Sequence, residues 1–209
     1  MLGIIAGIAS VIGTIASTVA TIGLTLQGLK IFCGAIVSIG KALGLIKTEK
    51  PEDLGDKALQ AEEEGIVPEN YETYQQYVDA VEEFEVDPEK SALYTEEAKL
   101  TKATELSCGV LAEKTGESPV IYSDLFTVAS EFPGYFAPDK NDPSRLTEIV
   151  KSGADTIKLA TGYFSGKETN PDSIEKAINA MAAIDHRLYP DRSDAEIRSE
   201  IVKANIKDM

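Results

Sequence analysis

Residues 2–29 read LGIIAGIASVIGTIASTVATIGLTLQGL, 28 positions without a charged side chain in a chain whose overall content of Asp, Glu, Lys and Arg is 26 %. Ile5, Ile8, Ile12, Ile15, Val19, Ile22, Leu26 and Leu29 recur at alternating spacings of three and four, which sets all eight on one face of a helix. The opposite face carries Gly3, Gly7, Ser10, Thr14, Ser17, Thr21 and Gly28, with Leu24 the one large residue among them. One stripe is bulky, the other small, and the flanks between them are mostly alanine and glycine. A helix of this kind cannot leave any face in water on favourable terms, so it calls for an oligomer or another shelter.

Two shelters fit the pattern. At about 1.5 Å per residue the run reaches about 42 Å, enough for a tilted bilayer crossing. In lipid, the small face of Gly3, Gly7, Thr14 and Thr21 lets helices approach closely while the isoleucines meet acyl chains. In water, isoleucine at both core positions of a heptad favours trimers or tetramers, with the bulky stripe inward and the small face covered by an enclosing protein tube. The membrane-inserting helix is the favoured expectation, although Phe32 is the only aromatic near either end and no Trp or Tyr belt is present. A cleaved signal peptide fits poorly, because no basic residue precedes Lys30 and the apolar core is far too long.

Charge divides the chain in two. Residues 1–47 contain three lysines, Lys30, Lys41 and Lys47, and no acid, so of the formal charge of −15 residues 48–209 carry −18. The expected organisation is an apolar helix over 1–47 and an acidic helical domain over 48–209. Such an acidic body repels phosphate, and no basic patch offers itself to nucleic acid. The lysines past the uncharged run would keep that end, and the acidic domain with it, on the cytoplasmic side of a membrane.

From Ile31 to Ile46 the apolar character continues, diluted by Gly34, Gly40, Lys41 and Gly44, and Lys47 to Pro51 reads as a hinge. Helices are then expected from Pro51 to Gly65 and after Pro68, the latter burying Tyr71, Tyr74, Val78 and Val81. Asp87-Pro88, Asn170-Pro171 and Asp142-Pro143 each pair a capping residue with proline at the first helical position. The helix after Pro88 is expected to run to about Glu113 and bury Leu93, Leu100, Leu106 and Val110, with Gly116 as its stop. Others are expected from Ser118 to Pro133, from Pro143 to Gly166, from Pro171 through Leu188, and after the capping box Ser193–Glu196. No stretch alternates long enough for a strand, so the predicted class is all-α, with six or seven helices after residue 48. Tyr135 and Phe136, on the loop before Asn141, are expected either to plug the core or to dock a partner.

Motifs for chemistry are weak. His186, the single histidine, sits as Asp185-His186-Arg187, and neighbours on a helix do not face the same way, so Asp185 cannot easily orient the ring. Cys33 and Cys108 have no metal or disulfide spacing and read as small buried hydrophobes. Glu62, Glu63 and Glu64, and Glu82, Glu83 and Glu85, spread around their helices like solvated faces. Asp139-Lys140-Asn141-Asp142 begins like a calcium loop but lacks the glycine and the closing glutamate. No catalytic residue, cofactor or metal is expected.

The expected role is therefore that of a non-enzymatic assembly protein. It oligomerises, with a trimer favoured, through the N-terminal helix in a bilayer and docks partners through the acidic domain. The alternatives are a coiled-coil component enclosed in a secretion or phage-tail tube, and a membrane-active toxin kept soluble by its acidic part.

Overall fold

The computed structural model describes residues 26–136, 142 and 144–206. Among them lie eleven α-helices, one 3-10 turn (Pro68–Asn70) and no strand. In chain order the helices are α1 (Leu26–Ala42), α2 (Pro51–Glu63), α3 (Tyr74–Glu83), α4 (Pro88–Ser91), α5 (Glu96–Thr115), α6 (Pro119–Glu131), α7 (Pro133–Phe136), α8 (Ser144–Lys151), α9 (Ala154–Phe164), α10 (Pro171–Leu188) and α11 (Asp194–Asn205). Packing divides the chain into two compact units with the boundary between Ser123 and Asp124, inside α6.

In the first unit α5 is the central helix, and α1, α2 and α3 all pack on it. Its core joins Leu29, Cys33 and Ile36 of α1, Leu54 and Ala58 of α2, Tyr74, Val78 and Val81 of α3, and Leu100, Cys108 and Leu111 of α5. The compositional break at residue 47 is thus not a packing boundary: residues 29–46 bury nine apolar side chains in the same body as the acidic helices. Apolar content, not charge, decides which side chains leave water.

In the second unit α10 packs against α8, α9 and α11, and α11 also meets α7. Proline sets the starts. Asn170 caps α10 by accepting from the Asp172 and Ser173 amides, with Pro171 at the first helical position. Ser193 and Glu196 close a reciprocal capping box on α11.

Two expected helices are broken, which raises the count above seven. The stretch after Pro88 stops at Ser91 and restarts at Glu96, because the Thr95 side chain accepts from the Ala98 amide and caps a new helix there. Leu93, expected in the core, falls in the intervening turn and is 80 % exposed. The stretch after Pro143 breaks at Gly153, whose φ of +92° is open to glycine and strained for other residues. Helix α8 therefore ends at Lys151 and α9 begins at Ala154. No helix among the described residues is long and apolar enough to cross a membrane.

Candidate functional site

Of the sequence-predicted association residues, Gly3, Ile5, Gly7, Ile8, Ile12, Thr14, Ile15, Val19, Thr21 and Ile22 lie outside the described residues. Leu26 and Leu29 lie within them, at the start of α1, and differ sharply. Leu29 is 2 % exposed and Leu26, one turn earlier on the same stripe, is 43 % exposed. Among the described residues the stripe passes from exposed to buried between them. Lys30, beside Leu29, pairs with Glu96 in the first turn of α5 at 2.7 Å, which places the start of α5 level with that point. Downstream the stripe continues through Cys33 and Ile36, both fully buried. The Cys33 thiol donates to the Leu100 carbonyl at 3.3 Å, and burial pushes its pKa up to about 12, so it is an inert thiol.

Tyr135 and Phe136 take the plug position. Both are buried within the second unit, and Phe136 stands edge-on to Tyr135 and to Phe164 at 5.1 and 4.9 Å between ring centroids. Packing leaves Tyr135 2 % and Phe136 0 % exposed.

Beneath them lies a polar cluster that spacing alone did not announce. Arg145 Nε donates to Asp185 Oδ1 at 2.6 Å, its Nη2 reaches Glu200 Oε1 at 3.2 Å, and its Nη1 donates to the Tyr135 carbonyl. The Tyr135 ring sits under the guanidinium carbon at 4.0 Å, and the Tyr135 hydroxyl donates to Asp185 Oδ2 at 3.3 Å. Burial lifts the Asp185 carboxyl above the usual aspartate range, while Arg145 and Tyr135 draw it part of the way back. One signal was present in the sequence: Asp185 stands four residues after Met181, in phase with the apolar stripe of α10, where a charged residue requires a partner.

Over this cluster runs a groove of about 900 Å³, lined among others by Pro133, Gly134, Tyr135, Arg192, Ala195, Ser199 and Lys203. Its charged groups are mostly spoken for. Glu196 is held in the α11 cap, and Glu200 is shared between Arg145 and Arg192, the latter at 2.5 Å. Its lining contains no histidine or cysteine. His186 lies on the exposed side of α10 and reaches Asp194 at 3.3 Å, whereas its neighbour Asp185 turns inward to Arg145. Hydrogen bonds from His186 and Arg198 hold Asp194 below the usual range. The pair is a link between α10 and the first turn of α11. Among the described residues no group of three or more His, Cys, Asp and Glu could hold a metal ion. No family model, curated protein or solved structure matches this chain.

Proposed function

We propose that this chain is a non-enzymatic assembly component. Its uncharged N-terminal run inserts in a bilayer and associates there with copies of itself, a trimer being favoured, and its acidic helical units form the body on which partners dock. The observation that carries the reading is the change from buried Leu29 to exposed Leu26. Among the described residues the first unit buries the bulky stripe from Leu29 onward, and in the sequence seven large aliphatics precede Leu29 in phase with it. Fully burying each stabilises by about 2 kcal/mol, so whatever covers them gains a substantial association energy before ordering costs. In lipid the contact between copies runs through Gly3, Gly7, Thr14 and Thr21. Lys30, Lys41 and Lys47 keep the following units on the cytoplasmic side.

One observation favours the enclosed coiled coil instead: where the stripe is described, at Leu29, Cys33 and Ile36, it faces protein. On that reading the isoleucines face one another and a protein tube covers the small stripe. Flotation of the full chain on phosphatidylcholine vesicles, followed by mass determination in detergent, separates the two. Membrane association predicts flotation, and an oligomer broken by Gly7→Leu with Thr14→Leu. A discrete trimer left in the bottom fraction, broken by Ile12→Ala with Ile15→Ala, would replace it with the enclosed bundle.

A further inference from the structure

Two tyrosines of α3, Tyr74 and Tyr77, line a pocket of about 140 Å³ between α3 and α5 of the first unit. Backbone contacts set their place. The Thr73 hydroxyl caps α3 by accepting from the Gln76 amide, and the Tyr74 and Gln75 amides donate to the Glu113 carboxylate of α5 at 2.7 and 2.9 Å. Gly109 then lets the Tyr74 ring lie against α5, since a Cβ there would stand 2.3 Å from the ring carbon that bears the hydroxyl. Tyr77 meets Tyr74 edge to face at 5.3 Å between ring centroids.

Each tyrosine is 2 % exposed, yet neither hydroxyl bonds to a protein group among the described residues. Neither oxygen is sealed in, because the buried side-chain atoms without a partner are Gln75 Oε1 and Glu82 Oε2. What the two phenols still reach is the pocket that they line. Buried polar groups ordinarily carry hydrogen bonds, so this wall keeps two for an occupant.

Charge selects the kind of occupant. Lys102 Nζ lies 2.5 Å from a Glu62 oxygen and 3.5 Å from a Glu105 oxygen, and all three residues line the pocket. One ammonium shared by two carboxylates leaves a negative charge over, and Glu69 in the same lining adds another. That balance disfavours an anion. Glu105 is 8 % exposed, and burial raises its carboxyl above the usual glutamate range with only partial relief from Lys102, so a further cation would be welcome there. A metal ion is not what these acids suit, since no group of three or more His, Cys, Asp and Glu among the described residues could hold one.

We propose that this pocket binds a small aliphatic ammonium ion. Its N–H groups donate to the Glu105 carboxylate and to the phenol oxygens of Tyr74 and Tyr77, and its alkyl part lies on Val67, Pro68 and Leu106. A cavity of about 150 Å³ takes benzene, so the space suits a cation of about six heavy atoms or fewer. Every residue of the site belongs to the first unit, and the inference is independent of the membrane reading.

The test titrates n-butylammonium chloride against the full chain in plain buffer at neutral pH, read by saturation-transfer NMR of the ligand. Butan-1-ol and butyrate serve as the neutral and the anionic match. The ammonium should bind about tenfold more tightly than the alcohol, the worth of one charge-assisted hydrogen bond of the weaker kind, and butyrate should bind more weakly still. Glu105→Gln should weaken the ammonium about tenfold and Tyr77→Phe about threefold, while Glu83→Gln, an exposed control, leaves it unchanged. Alcohol or butyrate binding as tightly as the ammonium overturns the proposal, as does the absence of ammonium binding or binding unchanged in either folded pocket variant. Should circular dichroism show Glu105→Gln unfolded, Tyr77→Phe, which removes one oxygen, decides alone: a threefold loss supports the site and no loss overturns it.

Discussion

Arg145 and Asp185 form a buried ion pair, 2.6 Å from Nε to Oδ1, with 2 % and 0 % of the two residues exposed. It joins α8 to α10 and, through Glu200, to α11. Breaking such a pair from one side leaves a charge buried without compensation. Asp185→Leu should therefore destabilise the second unit by about 3–5 kcal/mol, whereas Arg145→Met combined with Asp185→Leu should cost much less. Urea unfolding followed by circular dichroism measures both.

Asp56 makes the first unit acid-sensitive. Burial opposes its charge, but hydrogen bonds from Lys99 at 2.8 Å, from Ser91 and from Gln60 at 2.9 Å prevail and hold its carboxyl below the usual range. A carboxyl depressed in the folded state adds stability that is complete above its unfolded pKa and is lost as pH falls through the folded value. The contribution is thus present at pH 7 and fades below about pH 4. Asp56→Asn should be less stable at pH 7 by about 2 kcal/mol, and it should lose less of its remaining stability on acidification. Urea midpoints at pH 7 and pH 3 check the sign.

Helices α2 and α5 meet at Gly55, where a Cβ would stand 1.7 Å from the Lys99 carbonyl oxygen. Backbone cannot yield as a side-chain tip can. Gly55→Ala should cost about 3 kcal/mol and lower the melting temperature, read by thermal circular dichroism.

Leu26 and Leu29 separate stability from association. Leu29→Ala removes a buried side chain and should destabilise the first unit by about 3 kcal/mol. Leu26→Ala should change stability by less than about 0.5 kcal/mol and weaken association, seen as a lower mass by light scattering at equal concentration.

Helix starts were the most legible part of the fold. Pro51, Pro88 and Pro171 open helices where expected, and Ser193 caps the last one. Restarts were harder to read: Thr95 and Gly153 each sit in stretches whose apolar spacing carries on across them, and local capping overrode that spacing at Leu93. The place of α1 was hidden for a different reason. Periodicity shows which face of Leu29, Cys33 and Ile36 is apolar but not what covers it, and here the cover is α5 of the same chain. Glu82 reads as part of a solvated face, since its contact with the backbone amides of Lys47 and Thr48 leaves no mark in spacing.

The proposed role requires that the uncharged run of residues 2–29 find shelter from water. Sedimentation of the full chain at low micromolar concentration in plain buffer, then with phosphatidylcholine vesicles, measures this directly. It should sediment as an oligomer or larger assembly without lipid and move with the vesicles when they are added. A monodisperse monomer, unchanged by lipid or by detergent, would contradict it.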